Sequence, residues 1–385
     1  SRTPDLTIRR DRGGRNDDRE HVDRRISIRF KEYYVSVQWV MARSSCFFSR
    51  NIRCIPPLGL AYIAAYLAEH GHECRIIDGI AEPLDFGSLC DIAREYDIIG
   101  ITVVTTYYKR AGELIHALRD SGSDTTIAVG GPHVTVLSES LLEEGADYAV
   151  VGEGEVTMLE LLECLFGKKG DPKNIPGLVF WNGTGYHYTG RRSQIDPLDQ
   201  IPLPARELLP MHRYKSSIAR ASCQPSHSML TSRGCPGVCT FCSKKTFGTA
   251  VRYFSADRIV EEFFILRDKY GARDVAIWDD NFISDQDVVL TICERLRHLN
   301  FDCSWSVEGR IDCINQEILQ AVKDAGCTYI ALGIESGSQR VLNHVNKKIT
   351  KEQICEAVSI ARKVGILVRG YFMMGLTTET AEEMN

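Results

Sequence analysis

The sequence predicts an α/β protein made of a doubly wound parallel-sheet domain followed by a partial (β/α) barrel. Three observations carry this. Short apolar runs alternate with helical patterns through both halves; eight of the 13 prolines fall between Pro172 and Pro236, with none after; and cap residues and glycines punctuate the second half at βα spacing. Alternation of strand and helix implies parallel sheets with right-handed crossovers. The proline-rich stretch reads as a linker between two such units.

Before the linker, runs at 74–78, 98–103, 126–129 and 148–151 read as buried strands, and 58–70, 109–120, 138–144 and 156–166 as helices. Residues 33–41 add a first strand, with Val35, Val37, Trp39 and Met41 on one face. Residues 177–188, turning at Asn182-Gly183-Thr184-Gly185, read as a hairpin that leads into the linker. After it, strands are expected at 228–231, 274–278, 303–307, 328–332 and 366–373. Ser255, Ser284, Asn315 and Thr350 are the expected helix N-caps, and Gly271, Gly326 and Gly365 the C-terminal stops. Five successive βα units of one hand curl into a barrel or part of one. A sixth begins at 378–384 as the chain ends, which reads as a truncated barrel. The expected division is a poorly defined basic segment at 1–50, the first α/β domain at 51–170, hairpin and linker at 171–222, and the incomplete barrel at 223–385.

At roughly 150 residues per domain, 385 residues make two to three domains. With 44% hydrophobic and 25% charged residues, disorder, collagen and coiled coil are excluded as global readings. The net charge of −5 hides an asymmetry: residues 1–50 carry 12 Lys and Arg against 7 Asp and Glu, the rest 34 against 44. So acidic a body argues against a broad nucleic-acid face, which needs cations along the phosphates. Asp11, Asp17, Asp18 and Asp23 interrupt the basic head, against a transit peptide, and no apolar signal core follows. The longest apolar stretch, 55–68, contains Pro56 and Pro57 and is short of the ~20 residues of a membrane span. The expectation is a cytoplasmic protein.

Most of the fourteen cysteines stand singly among apolar neighbours, as buried thiols do. One group is tight: Cys235-Pro-Gly-Val-Cys239-Thr-Phe-Cys242, directly after the first barrel strand, where βα loops gather catalytic groups. Three thiolates in eight residues can hold three irons of a [4Fe-4S] cluster and leave the fourth open to a ligand. The alternative is structural zinc, which wants four protein ligands; no second C-x-x-C exists, and His227 would have to complete the set.

C-x3-C-x2-C after strand one, with Phe241 before the last Cys, resembles the radical S-adenosylmethionine (SAM) superfamily. Trp278-Asp279-Asp280-Asn281-Phe282, Trp305 to Arg310, Ala325-Gly326-Cys327, Gly333-Ile334-Glu335-Ser336 and Lys347 to Thr350 are similar to its cobalamin-type branch, as found in methyltransferases and the anaerobic magnesium-protoporphyrin ester cyclase. So are Pro56-Pro57-Leu58-Gly59-Leu60, Gly71-His72, Gly130-Gly131-Pro132-His133 and Gly152-Glu153-Gly154-Glu155 in the first, Rossmann-like, cobalamin-binding domain. The resemblance covers about residues 55–385.

It implies an enzyme whose cluster, on Cys235, Cys239 and Cys242, cleaves SAM to a 5′-deoxyadenosyl radical and methionine, with cobalamin as methyl carrier, for methylation or cyclisation at an unactivated carbon. A one-electron reductant such as flavodoxin or ferredoxin and a small-molecule or natural-product substrate are the implied partners. Phe241 would face the adenine, or else pack the barrel mouth. Asp279 and Asp280 would meet the methionine amine, or cap a helix. Arg310 would hold the carboxylate, or form a surface ion pair. Glu335, with Ser336 beside it, would take the ribose or amine. Gly130, Gly131, Gly152, Glu153 and Gly154, at two successive strand ends, would let the corrinoid approach the backbone; as residues alone they also fit tight turns.

The resemblance has gaps. Gly375-Leu376-Thr377-Thr378-Glu379-Thr380 lacks the family's Pro and second Gly, and the first 50 residues do not show its opening strand clearly. The loop expected to carry a cobalt-binding His, placed at 78–83, has none, and His133 reads as a turn or cap residue, so the lower face of cobalt is expected to lack protein imidazole. Two other readings stay open: a vestigial first domain without corrinoid, and an inactive chain that only binds the cluster. A methylthiotransferase would need three further clustered cysteines, which Cys46, Cys54, Cys74, Cys90 and Cys164 do not form.

Overall fold

A computed structural model describes residues 55–167, 170–214 and 223–384, and the backbone of 31–36. The first half runs β1 (Lys31–Ser36), α1 (Leu58–Glu69), β2 (Glu73–Asp78), α2 (Phe86–Ala93), β3 (Ile98–Thr102), α3 (Tyr108–Asp120), β4 (Thr126–Gly130), α4 (Pro132–Val136), β5 (Tyr148–Val150), α5 (Glu155–Leu165), β6 (Leu178–Trp181) and β7 (Tyr186–Tyr188). These strands form one seven-stranded sheet in the order β2-β1-β3-β4-β5-β6-β7, parallel through β5. The hairpin β6–β7 adds to it antiparallel rather than merely leading out of the domain. Consecutive residues on each strand go to opposite faces. Ile99, Ile101, Ile127 and Val129 pack with Leu89, Leu114 and Leu118 of α2 and α3, whereas Ile98, Ala128 and Val150 pack with Leu60, Leu67 and Leu161 of α1 and α5. Burial on both faces is why the strands read as continuous apolar runs.

The expected strand at 33–41 is observed for 31–36, and 37–41 lie outside the described residues. The helix expected at 138–144 is a run of turns; the helix there is α4, which starts earlier because Pro132 occupies its first turn after Gly131 at φ 94°, and which ends at Leu137 (φ −126°, ψ 68°). Helix α2 was not expected: its cap, Asp85 accepting from Ser88 N–H, lies in a segment whose short apolar pattern carries little periodicity.

The second half runs β8 (Ser226–Met229), β9 (Ser232–Arg233), β10 (Arg252–Tyr253), α6 (Ala256–Asp268), β11 (Asp274–Ile277), α7 (Gln286–His298), β12 (Ser304–Arg310), α8 (Gln316–Asp324), β13 (Cys327–Glu335), α9 (Gln339–His344), α10 (Lys351–Val364), β14 (Leu367–Phe372) and α11 (Ala381–Met384). Five parallel strands follow chain order, β8-β11-β12-β13-β14, an open barrel wall. Trp305, Val307, Ile330 and Leu332 point outward to Phe263, Ile292, Leu319 and Ala361 of the helices, so Glu308, Arg310, Ala331 and Gly333 point inward. Ser255, Asn315 and Thr350 cap their helices as expected, Thr350 in a capping box, and Gly365 ends α10 left-handed. Ser284 does not cap α7: its hydroxyl is held by Asn281, and Asp285 takes the cap by accepting from Val288 N–H.

Leu58 and Tyr62 of α1, with Ile195, Leu198 and Ile201 of the linker, belong to the same apolar cluster as the barrel helices, so the barrel core extends to α1 and the linker. Buried charge crosses the same seam. Arg206 of the linker donates to Glu262 of α6 (2.5 Å) and to Ser228 O (2.8 Å), with side chains 2% and 3% exposed. Removing one partner of a buried pair strands the other charge. Glu262→Gln is therefore expected to destabilise the fold by about 3–5 kcal/mol in denaturant unfolding; a change under about 1 kcal/mol, the surface-pair range, would contradict that placement.

Candidate active site

The strand ends of the first sheet and the inner wall of the barrel open on one cavity of about 650 Å³. From the first sheet come Gly130 and Gly131 at the end of β4, Gly152, Glu153 and Gly154 after β5, and Pro56 and Pro57 before α1. From the barrel come Cys235, Cys239, Cys242, Lys244, Asp280, Glu308, Arg310, Gly333, Lys347 and Tyr371. In a doubly wound sheet the carboxyl ends of strands beside the order reversal bind ligands. Here the order reverses between β1 and β3, next to β4 and β5.

The three cysteines lie on the loop between β9 and β10. Gly234 enters that loop at φ 96°, where a Cβ would strike the Ala250 carbonyl, and a Cβ on Gly237 would strike the Arg310 guanidinium. Arg310 Nη1 is 3.4 Å from Cys239 Sγ. A hydrogen bond from Cys242 holds the Cys239 thiol down to about 5 against burial, helped by Arg310 and by the charge of Lys347; donating that bond pushes Cys242 up. Among the described residues no three Cys, His, Asp or Glu side chains converge as ligands of a single ion. Three soft thiols spread along one wall, beside two cations, fit an anionic iron–sulfur cluster, which takes each thiolate on a separate iron. His227 does not join the three cysteines: it is not among the residues that line the cavity, and its Nε2 is on Tyr270 O (3.1 Å).

Arg310 donates bidentately to Asp312 (2.9 and 2.8 Å) and to Lys347 O (3.0 Å). Glu335 ends β13 at φ 69°, with its carboxylate on Lys347 Nζ (2.7 Å). Ser336 donates to Glu379 (3.2 Å), and Phe241 packs on Val341, Val345 and Leu376 with Lys347 Nζ 6.0 Å from its ring centre. Phe241, Asp279, Glu335 and Ser336 stand behind the cavity wall rather than on it.

Asp279 and Asp280 part company. Asp280 lines the cavity, and burial raises its carboxyl against the Gly234 N–H and Lys244. Asp279 is 1% exposed and turned into the fold, where it accepts from Thr231 N–H (2.7 Å), the Thr231 hydroxyl and the Ser232 hydroxyl (2.7 Å). Burial outweighs these donors and lifts its carboxyl to about 6. The folded state thus binds this proton more tightly than the unfolded one. The stability it contributes is whole below pH 4 and lost as pH rises through about 6, about 3 kcal/mol in all. The urea midpoint of the wild-type chain is expected to fall between pH 4 and 6.5 relative to Asp279→Asn; parallel profiles would overturn this.

Glu153 meets both domains: its carboxylate takes Arg233 and Arg252. His133 stands behind the wall. It is 5% exposed, with Nδ1 on Thr105 Oγ1 and Nε2 on Ser140 Oγ (3.2 Å each), its ring tilted against Tyr108, and burial lowers its basicity. The loop at 78–83 follows β2, the edge strand, and none of it lines the cavity. Residues 37–57, between β1 and α1 in the sequence, contain no His either. Sequence reasoning assigned no role to Lys244, Glu308, Lys347 or Tyr371, although Glu308 and Lys347 lie in quoted motifs. Glu308 was within reach, since it stands two residues before Arg310 on one strand face; Tyr371 Oη donates to it (3.1 Å).

Comparison with known proteins gives the same two parts. A B12 binding domain family matches residues 53–162 and the radical SAM superfamily matches 229–385. The uncharacterized methyltransferase PH0819 of Pyrococcus horikoshii is 36% identical over 334 residues, 86% of this chain and 71% of its own length. The anaerobic magnesium-protoporphyrin IX monomethyl ester cyclase of Rubrivivax gelatinosus is 26% identical over 86% of this chain and 60% of its own. Among solved structures, the cobalamin-dependent SAM radical enzyme OxsB with aqua-cobalamin bound superposes with a TM-score of 0.77 at 20% identity over 92% of this chain, which spans about half (51%) of that one. The radical SAM methyltransferase TsrM of Kitasatospora setae, with cobalamin and [4Fe-4S] cluster bound, gives 0.75 at 18% identity over 92% of this chain and 71% of its own. At such identity the two structures show the fold.

Proposed function

The chain belongs to the B12-binding radical SAM family of methyltransferase- and cyclase-type enzymes, and from that premise we propose that it binds a [4Fe-4S] cluster, SAM and cobalamin in the one cavity and acts on an unactivated carbon of a small molecule or natural product. The observation that carries this is the shared cavity, onto which both the glycine loops of the first sheet and the three thiols of the barrel open. When bound, a reduced cluster supplies one-electron cleavage of SAM, and cobalamin supplies a carrier for a methyl group.

The residues divide the work. Cys235, Cys239 and Cys242 hold the cluster, and Arg310 and Lys347 offset its charge. Gly130, Gly152 and Gly154 leave backbone bare for a corrinoid. Asp280 and Arg310 reach SAM directly. Glu335 acts with Lys347, and Phe241 and Ser336 shape the wall from behind. Asp279, turned inward, braces the loop before Cys235. The proposed division of the chain is 51–170 for the corrinoid, 171–222 for hairpin and linker, and 223–385 for the barrel. A one-electron reductant is the proposed partner, and the cytoplasm the proposed compartment; no helix of the described residues is long and apolar enough to cross a membrane.

The test is anaerobic reconstitution followed by iron and corrinoid counts and single-turnover SAM cleavage to 5′-deoxyadenosine. Cluster without corrinoid would leave the vestigial-domain reading; cluster without cleavage would leave the inactive one. Arg310→Ala should weaken SAM binding roughly 10- to 100-fold, the loss of one charged hydrogen bond, and Glu335→Ala should weaken it less, by freeing Lys347 from its partner, with iron retained in each. Loss of iron in both would assign them to the fold.

A further inference from the structure

The cysteine loop is closed at its neck by two paired residues, Arg233 on β9 and Arg252 on β10, which face each other in an antiparallel ribbon. Both leave the barrel and reach the same loop of the first sheet. Arg233 Nη1 is 3.0 Å from Glu153 Oε1, and Nη2 2.6 Å from Glu155 Oε1. Arg252 grips Glu153 with Nη2 on Oε1 (2.9 Å) and Nη1 on Oε2 (3.1 Å). Ile195 of the linker closes the ring, its N–H on Glu153 Oε2 (2.9 Å) and its carbonyl accepting from Arg252 (2.5 Å). All four charged side chains are 5% exposed or less.

Glu153, Glu155 and Arg233 themselves reach the cavity wall, and so do their neighbours: Gly152 and Gly154 flank Glu153, and Cys235 follows Arg233 by two positions. Buried ion pairs add little net stability compared with apolar residues of the same volume, but they define one geometry sharply. Four such groups at the meeting of two ligand-bearing loops serve registry better than adhesion.

We propose that Glu153 and Glu155, held by Arg233 and Arg252, form a clamp that fixes the three-cysteine loop at one separation from the glycine loop after β5. It rests on the function proposed above, since the clamp would set the distance between cluster and corrinoid. These are positioning residues: they act through the loops they join.

The test uses Glu153→Gln, which removes the charge both arginines share, and Arg252→Lys, which keeps the charge and loses the fork. Reconstituted samples are counted for iron and corrinoid. The distance distribution between Co(II) and the reduced cluster is then measured by pulsed dipolar electron paramagnetic resonance, and hydrogen exchange is followed in peptides covering 150–156 and 232–236. With wild-type cofactor content, both variants should broaden the distribution, and exchange in the two peptides should rise together by about tenfold, as for local opening of one cooperative unit. Should Glu153→Gln fail to fold, Arg252→Lys carries the test alone. Unchanged width and exchange would overturn the clamp. Loss of corrinoid with unchanged exchange would also overturn it and make Glu153 a cofactor contact. If the wild-type chain takes up no cluster or no corrinoid, the proposed function fails. Exchange then decides the clamp: a joint rise supports it, no change overturns it.

Discussion

Replacing Cys235, Cys239 or Cys242 by Ala is expected to take anaerobically reconstituted protein from about four irons per chain to almost none. Among the described residues the three thiols are the only cysteines lining the cavity, and each would take a different iron, so no described neighbour can substitute for a missing one. At Cys239 the surroundings favour thiolate, since Arg310 donates to it and the Lys347 charge adds to the pull. The fold should survive each change: none of the three belongs to an apolar cluster, and the neck of their loop is held by Arg233 and Arg252 instead. Cys355→Ala, an exposed thiol on α10, is the control and should leave iron untouched. Iron retained in all three variants, or zinc at full occupancy in the wild-type chain, would sink the cluster assignment. With a fourth iron open, the assembled cluster should also bleach in air, which absorbance near 400 nm would follow.

Strands and caps were legible because their signals are local. Apolar runs buried on both faces announce β3, β4 and β5, and Thr350 with Gln353 three residues on announces α10. The failures have local causes too. Ser284 loses the cap of α7 to Asp285 because Asn281 holds its hydroxyl, and α4 pre-empts the helix expected at 138–144 because Pro132 starts a turn earlier. The cysteine triplet was legible from spacing alone. Asp279 and Asp280 were not separable by motif, although adjacent residues at a strand end face opposite ways, so only one could reach the cavity. The clamp was beyond sequence reasoning: Arg233 and Arg252 find Glu153 across 80 and 99 residues, and no local pattern encodes such a meeting.

Gly152→Leu is expected to empty the first domain of corrinoid while sparing the cluster. The four glycines at the strand ends serve different purposes. A Cβ on Gly131 would come within 2.8–2.9 Å of Thr102 Oγ1 and the Val103 backbone, so its bareness serves the fold. A Cβ on Gly130 would meet Val150 at an ordinary 3.7 Å, and one on Gly154 would press only the end of Ile63. Gly152 alone of the four combines cavity exposure with open space around its missing side chain. Its φ of 89° means any side chain there carries left-handed strain, about 1–2 kcal/mol, which Gly152→Ala measures by itself. Leu adds branched bulk that points into the space a corrinoid would take. Overpacking of that kind costs a few kcal/mol, so affinity should fall on the order of 100-fold beyond the Ala variant. Iron content should not change, because the cysteines sit on a loop between strands of another sheet. His133→Ala should leave corrinoid binding and the Co(II) spectrum as they were, since both ring nitrogens already face hydroxyls behind the wall. Full corrinoid uptake by Gly152→Leu would move the site elsewhere. A nitrogen splitting that vanishes with His133 would put imidazole on cobalt.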